Sequence, residues 1–204
     1  MSKETKYKIC RRLGAGVYEK CQTQKFTLSE QKKQGGKKFG RRKQISDYGL
    51  QLLEKQKVRF TYGLKERQLI KYVKESLALG GSNVYETLFK NIESRLDNVV
   101  FRLGLANTRA AARQMVVHGH ITVNGRKLNV PSYNTKIGDV ISVRKQSQDK
   151  TLFENLEEKV KERSTPNWLV FDIKVKQGKI SGVPKVEKGG ETFDLRSVFE
   201  YYSR

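Results

Sequence analysis

The chain has 204 residues, with 42 lysines and arginines against 21 acidic residues and a formal net charge of +21. Self-repulsion of this size opposes a compact free protein. The excess therefore favours a polyanionic partner, with nucleic acid first and an anionic membrane surface second. No apolar run approaches the roughly 18–20 residues of a spanning helix, and the polar start lacks the apolar core of a secretory signal. We therefore expect the chain to stay where it is made, in the cytoplasm.

The first 44 residues differ in composition from the rest, and we predict a basic N-terminal extension over 1–44 rather than a domain. Residues 32–43 hold seven basic side chains and no acidic ones, so the stretch cannot bury enough apolar surface to offset the entropy cost of ordering it. One interpretation is a solvated flexible tail. The interpretation we favour is an arm that folds on RNA, with Arg41, Arg42 and Lys43 as phosphate ligands.

Helical signals begin at Ser46, a good N-cap for a helix that turns Leu50 and Leu53 inward. A second helix is predicted over 65–79, and a third follows the glycine pair after it. Residues 45–94 are thus predicted to form a small all-helical domain. A charged helix face is usually only solvated, but the basic excess here favours RNA contact. The candidates on this domain are Tyr48 and, on its outer face, Lys55, Lys57 and Arg59.

Helical and strand patterns alternate over residues 95–144. The apolar spacing predicts a helix over 109–117. Asn124-Gly125 is a strong hairpin signal, because both turn positions tolerate positive φ. Residues 139–143 predict another strand. The fold class is therefore α+β: a small helical unit, plus a larger lobe in which helices pack on a mainly antiparallel sheet.

The chain beyond Lys145 is predicted to continue that larger lobe. A polar linker leads into an amphipathic helix over about 151–163, and alternating apolar residues predict a strand over 168–175. Short extended pieces and a short final helix or strand follow. We expect the segment 158–204 to complete the larger lobe.

The cationic groups of residues 95–144 are expected to lie on one surface. Arg109 and Arg113 are four residues apart and share a helix face, and the hairpin adds further polar and cationic groups. Such a surface suits RNA, because phosphate contacts supply affinity while A-form shape and 2′-hydroxyls supply specificity. These further groups are His120, Thr122, Asn124, Arg126 and Lys127.

A catalytic function is not expected. His118 and His120 are the only histidines, and no cysteine or carboxylate cluster accompanies them as a general base or metal site would require. No glycine-rich loop has the pattern of a phosphate-binding P-loop. We therefore predict that the chain is not an enzyme.

Many ordered blocks in the chain are similar to one known family. They are Ser46-Asp47-Tyr48-Gly49, Glu54 to Arg59, Tyr62-Gly63, Glu66-Arg67-Gln68, Glu93 to Val100, Thr108-Arg109, Ala112-Arg113-Gln114, His118 to Arg126, Pro131-Ser132-Tyr133 and Tyr202-Ser203-Arg204. The chain resembles the bacterial-type ribosomal protein number four of the small subunit. The resemblance is strong over about 45–145 and looser elsewhere.

The resemblance implies a structural protein of the small ribosomal subunit. Such a protein binds the subunit's ribosomal RNA directly, nucleates assembly of the subunit body and contributes to translational accuracy. The family's RNA-binding fold is implied over 95–157, and Gln114 and His118 join the RNA-facing positions. The implied neighbours are other small-subunit proteins, especially number five, and messenger RNA where it enters the ribosome. The implied location is the ribosome, with no membrane partner.

One departure from the family concerns zinc. Many relatives hold zinc with four cysteines in the extension, whereas this chain has only Cys10 and Cys21 and no histidine before His118. Structural zinc normally needs four such ligands. We therefore expect no zinc and no other cofactor, and two reduced thiols in a loop rather than a disulfide framework.

Two other protein classes carry the same small RNA-binding domain. An RNA-modifying enzyme would need a catalytic domain that the remaining residues are too few and too basic to supply. A free regulatory protein, such as a ribosome-rescue factor, would not be expected to carry the blocks at 46–49 and 201–204. Sedimentation separates these classes, because a ribosomal protein travels with small-subunit particles and a free factor stays in the light fractions.

Overall fold

The structure, a computed structural model, describes residues 5–35, 45–80, 83–148, 150, 153, 165–172, 175–186 and 193–203. The chain forms two compact units. One, the helical unit, holds residues 1–80 with 187–204, and the other, the sheet unit, holds residues 81–186. Three predicted RNA ligands, Arg41, Arg42 and Lys43, lie outside the described residues, as does most of the predicted helix over 151–163.

Both units are built from helices, and the sheet unit also contains the strands. In chain order the helices are α1 (Lys6–Leu13), α2 (Gln24–Gly35), α3 (Asp47–Thr61), α4 (Glu66–Ala78), α5 (Val84–Glu93), α6 (Leu96–Arg102), α7 (Arg109–Val117) and α8 (Leu195–Tyr202). The strands are β1 (Ile121–Val123), β2 (Arg126–Lys127), β3 (Val140–Val143), β4 (Leu169–Asp172) and β5 (Gln177–Ile180). Among the described residues, no helix combines the length and apolarity that crossing a bilayer requires.

Residues 5–35 are folded as part of the helical unit, so the predicted extension over 1–44 is wrong for them. Ile9, Leu13 and Val17 form a buried cluster against Leu53 and Phe60 of α3. These apolar side chains are four residues apart in sequence, which aligns them on one side of α1 and its following turn. The sequence shows little sign of this stripe, because the segment has few apolar residues. The three that form the stripe are nevertheless all buried.

The two cysteines are joined by a disulfide, so the prediction of free thiols in a loop is wrong. Cys10 lies on α1, and two short 3₁₀ turns bring Cys21 back beside it, with their Cα atoms 6.5 Å apart. Both cysteines are buried in a small cluster with Phe26, and the Tyr7 ring stacks on Phe26 at 5.8 Å.

The last helix belongs to the helical unit, which corrects the predicted placement of all of 158–204 in the larger lobe. Its apolar side chains Leu195, Val198 and Phe199 are buried. The helix packs against α3 and α4, and the Tyr202 hydroxyl donates a hydrogen bond to Glu66 of α4 at 2.7 Å. Residues 169–172 and 177–180, by contrast, are strands of the sheet unit.

Two local predictions about α3 have different outcomes. Its N-cap is confirmed, since the Ser46 hydroxyl accepts a hydrogen bond from the Gly49 N–H at 3.3 Å. Leu53 packs partly buried, whereas Leu50 is exposed rather than turned inward.

The sheet unit is built on five antiparallel strands in the order β2-β1-β3-β5-β4. Val99 of α6, Leu103 just after that helix and Val116 of α7 pack in a core shared with Ile121 and Ile141 of the sheet. Helix α5 also belongs to this unit, not to the predicted helical domain over 45–94. The predicted architecture of helices on an antiparallel sheet is confirmed.

The local signals around α7 are confirmed most closely. The helix has the predicted bounds, and its N-cap Thr108 accepts a hydrogen bond from the Ala111 N–H at 3.1 Å. In the hairpin, Asn124 and Gly125 both have positive φ, 50° and 77°, and the strands pair with Val123 opposite Arg126. Only residues 118–120 separate α7 from β1, so the C-terminal end of the helix adjoins the hairpin.

Candidate nucleic-acid interface

The second arginine of α7, Arg113, is held by a buried carboxylate. Its Nε and Nη2 atoms lie 2.8 Å and 2.7 Å from Oδ2 of Asp97, and its side chain remains 34% exposed. The same carboxylate binds buried Arg95 through both oxygens, at 3.0 Å and 2.9 Å. Asp97 therefore joins one surface arginine to one core arginine, in charge-assisted hydrogen bonds that fix guanidinium orientation.

The first arginine of α7, Arg109, is held by the uncharged side chain of Asn98, which is itself bound to a carboxylate. Its Nε donates to Oδ1 of Asn98 at 2.8 Å, and its guanidinium carbon lies 4.3 Å from the centre of the Phe101 ring. The Asn98 amide in turn donates to Oε2 of Glu93 at 2.8 Å. Cation–π contact and hydrogen bond together set the plane of this guanidinium.

A third arginine, which the sequence did not mark as a candidate, lies in the same network. Arg102 of α6 binds Glu93 with both edges, Nε at 3.0 Å and Nη2 at 2.7 Å, and 27% of its side chain is exposed. Its acidic partner is nine residues earlier, a spacing that no helical or strand periodicity indicates.

Further polar groups lie at the C-terminal end of α7. His118 is exposed, and its ring stacks on that of His120 with centroids 6.1 Å apart. The aliphatic stem of Lys127 from β2 crosses directly over Gly119, so closely that a Cβ there would collide with it. This brings a hairpin cation to the negative end of the helix dipole. Gln114 and Arg126 are also exposed.

The imidazole of His120 is half-buried beneath this surface. Its Nδ1 lies 3.0 Å from the Ser147 hydroxyl. Burial, and then the positive charges of Lys150, His118 and Arg144, lower the pKa of His120. The ring is therefore a neutral hydrogen-bonding group at pH 7, in an environment whose positive potential suits an anion.

Comparison with known proteins identifies the family. Residues 94–141 match the S4 domain, and residues 2–93 match the ribosomal protein S4/S9 N-terminal domain. The chain is 44% identical over 200 residues to small ribosomal subunit protein uS4 of Roseiflexus sp. (strain RS-1), covering 97% of this chain and 96% of that protein. It is 41% identical over 202 residues to uS4 of Aquifex aeolicus, covering 97% and 95%. It is 40% identical over 209 residues to uS4 of Dehalococcoides mccartyi, covering all of both chains.

The chain belongs to the uS4 family of small-subunit ribosomal proteins. The family consists of structural ribosomal constituents that bind ribosomal RNA, and its members are not enzymes. The predicted family, the α+β fold class and the structural function are confirmed.

Not every predicted site residue of this uS4-family chain is available at a surface. Lys55, predicted on the outer face of its helix, is only 4% exposed. Its ammonium lies 2.9 Å from Glu66 and 4.6 Å from the centre of the Tyr201 ring. The outward position predicted for Lys55 is wrong, because a lysine can be buried when a carboxylate and an aromatic face replace its water.

The other candidates of the helical unit keep partial exposure and have partners within the unit. Tyr48 is exposed, with its ring 5.5 Å from that of Tyr201. Lys57 pairs with Glu54, and Arg59 lies 3.2 Å from Glu66. These cations are oriented by internal ion pairs, as in the sheet unit.

Two hairpin residues, Asn124 and Thr122, have side-chain partners in or next to β3. The Asn124 side chain accepts from the Val140 N–H at 2.9 Å and donates to Asp139 at 2.8 Å. Thr122 is buried, and its hydroxyl lies 2.7 Å from that of Ser142. Both side chains hold the sheet, and their polar atoms already have protein partners.

The residues present do not fit a four-cysteine zinc site. The chain has two cysteines, and they are bonded to each other. Within the described parts of the chain, no group of three or more His, Cys, Asp or Glu side chains could hold a metal ion. That the protein works without zinc or another cofactor stays a prediction.

Proposed function

We propose that this chain binds small-subunit ribosomal RNA through one surface of its sheet unit, which we call the α7 face. The face consists of Arg102, Arg109, Arg113, Gln114, His118, Arg126 and Lys127. The observation that carries the proposal is the set of three partly exposed arginines held in fixed orientations beside exposed groups at the C-terminal end of α7.

The chemistry of the α7 face suits a folded RNA. Planar guanidinium groups bind phosphate oxygens in pairs, and the lysine adds a point charge. Amide and imidazole groups such as Gln114 and His118 can bind 2′-hydroxyls and base edges in a shallow A-form groove. The net charge of +21 adds a long-range attraction that raises the rate of association.

A binding measurement on the full chain tests the proposal. Labelled small-subunit ribosomal RNA would be titrated with protein at a series of salt concentrations. If about 8 phosphates are contacted, the affinity should fall by on the order of 10³-fold or more between roughly 50 and 200 mM salt. A flat salt dependence would contradict electrostatic recognition.

Two variants that each remove one positive charge test whether the α7 face is the surface that binds RNA. Arg113→Ala should weaken binding about tenfold or more, because a charge-assisted contact is lost, and should reduce the salt slope by about one. Lys90→Ala removes the same charge from an exposed position on α5 outside the α7 face. If both variants lose the same small affinity, the cations act only through net charge and the α7 face is the wrong surface.

Finer roles are proposals that the resemblance to the family supports. They are nucleation of the subunit body, a contribution to translational accuracy, contact with neighbouring small-subunit protein number five, and proximity to incoming messenger RNA. Cytoplasmic, ribosome-bound localisation belongs with them, and sucrose-gradient sedimentation of a lysate tests it. Nearly all of the protein should travel with small-subunit particles, whereas protein in the light fractions would indicate a free factor.

RNA contact by the N-terminal arm and the helical unit is proposed on the basis of their charge. The residues are Arg41, Arg42, Lys43, Tyr48, Lys57 and Arg59. Arg42→Ala and Arg59→Ala should each lower the salt slope of RNA binding by about one, and unchanged slopes would remove those residues from the interface.

A further inference from the structure

Two carboxylates lie buried immediately beneath the α7 face. Asp97 is 3% exposed and Glu93 is 1% exposed. A buried carboxylate is costly unless charged and hydrogen-bonded partners surround it, and here the partners include three arginines of the α7 face, bound directly or through an amide. Negative charge under a surface that must attract a polyanion is the opposite of what long-range electrostatics favours.

We infer that Asp97 and Glu93 are positioning residues, which hold the arginines of the α7 face in the orientation that RNA requires. The inference rests on the proposed RNA-binding function of that face. Neither carboxylate is expected to touch RNA, because both are covered by protein.

The Asp97 contact fixes Arg113 at two points. Nε and Nη2 both lie within 2.8 Å of the same carboxylate oxygen, while the side chain stays one-third exposed. The carboxylate is itself held on its other side, since Arg95, 3% exposed, binds both of its oxygens. Arg113 therefore presents a guanidinium whose plane is set before any ligand arrives.

Glu93 orients two arginines by different routes. It binds Arg102 directly in bidentate geometry and Arg109 through the buried side chain of Asn98. The Phe101 ring supports Arg109 from one face. Both routes pass through α6, so this single short helix, with Asp97 on it and Glu93 just before it, aligns all three cations.

Preorganisation explains why the face tolerates the acids. A free arginine side chain loses much of its rotamer entropy when it binds a ligand. An arginine already held by protein loses less, so the loss is met during folding rather than during RNA binding. The local repulsion from each buried acid is the opposing term, and the inference requires that preorganisation outweigh it.

Replacing Asp97 by asparagine distinguishes preorganisation from electrostatic repulsion, because the two effects change the RNA affinity in opposite directions. Asp97→Asn makes the protein more positive, so electrostatics alone predicts tighter binding to RNA. Positioning predicts about tenfold weaker binding and a salt slope shallower by about one, as if the Arg113 contact were lost. The matched control is Glu86→Gln, which makes the same charge change at an exposed residue of α5 and should leave binding unchanged or slightly tighter.

A double-mutant cycle then asks whether Asp97 acts through Arg113. Asp97→Asn should weaken binding in the wild-type background and have almost no further effect in Arg113→Ala. A loss that persists in the Arg113→Ala background would indicate general structural damage and would overturn the inference. If Arg113→Ala alone leaves binding unchanged, the proposed function of the face fails instead.

Asn98→Ala provides a second test that changes no charge, for the case in which Asp97→Asn unfolds because Arg95 loses its partner. It cuts the relay between Glu93 and Arg109. In protein with native circular dichroism, RNA affinity should fall several-fold, and the fall should vanish in an Arg109→Ala background. Native-like Asn98→Ala with full affinity would overturn the inference whatever Asp97→Asn does.

Discussion

Glu66 binds side chains from two other helices of the helical unit, and Glu66→Gln is expected to destabilise that unit. One carboxylate oxygen binds Lys55 at 2.9 Å and Tyr202 at 2.7 Å, and the other binds Arg59 at 3.2 Å. The carboxylate thereby connects α3, α4 and the C-terminal helix. Its loss would leave the ammonium of Lys55 buried without a countercharge.

The magnitude follows from burial. Removing one partner of a fully buried ion pair costs roughly 3–5 kcal/mol. Here Lys55 has 5% of its side chain exposed but Glu66 has 36%, and the amide of glutamine still offers an oxygen to one donor. We therefore expect the free energy of unfolding of the helical unit to fall by about 2 kcal/mol, below the buried-pair range.

Urea unfolding followed by peptide-resolved hydrogen exchange measures this loss. Protection should fall in α3, α4 and α8, while the fluorescence of Trp168, the only tryptophan, should keep its midpoint because it lies in the sheet unit. Glu75→Gln on the same helix is the control, since its pair with Lys71 is 3.7 Å long and exposed and should be worth under about 0.5 kcal/mol. Equal effects of the two variants would refute the reasoning.

The same residue predicts a pH dependence. Burial raises the pKa of Glu66, but hydrogen bonds from Lys55 and Tyr202, together with the positive charges of Lys55 and Arg59, outweigh it, so the pKa lies below its usual value. A depressed carboxyl pKa gives stability that is fully present above the unfolded value, about 4.3. That stability is lost as the pH falls through the lower folded value. The difference between wild type and Glu66→Gln should therefore shrink from pH 5 to pH 3, and a constant difference would contradict this.

Two further stability predictions concern a tight contact and the disulfide. Gly178→Ala would place a Cβ 2.5 Å from Cδ1 of buried Leu103. The free energy of unfolding of the sheet unit, followed by Trp168 fluorescence, should therefore fall by about 1–3 kcal/mol. An unchanged unfolding midpoint would mean that the core has room for the added methyl group. Reduction with dithiothreitol should destabilise the helical unit by about 2–3 kcal/mol, since the Cys10–Cys21 bond closes a short loop. The Cys10→Ser/Cys21→Ser variant should not respond to reductant, and equal responses would rule out the disulfide as the cause.

The parts of the fold that the sequence predicted well are those encoded by neighbouring residues. The α7 bounds follow from the Thr108 cap and the glycine after the helix, and the hairpin follows from Asn124-Gly125. The placement of the C-terminal helix was missed because its polar contacts join residues far apart in the chain, 136 positions in the case of Tyr202 and Glu66. Local patterns carry no information about partners at that distance.

The sequence predicted only part of the candidate site, and the reason is similar. Arg109 and Arg113 stood out because they are one helical turn apart. The buried acids beneath them did not, because a charged residue is assigned by default to solvent. The same default misplaced Lys55, whose burial depends on Glu66 and Tyr201 together. Such exceptions become visible only when charged side chains far apart in the chain are brought together by the fold.

Photochemical cross-linking of the protein to RNA within purified small-subunit particles tests most directly whether the α7 face binds ribosomal RNA. After nuclease and trypsin digestion, mass spectrometry would locate the nucleotide-modified peptides. The most heavily modified should come from residues 103–126, which hold α7 and the first hairpin strand. Particles whose cross-links fall only in other parts of the chain would contradict the account.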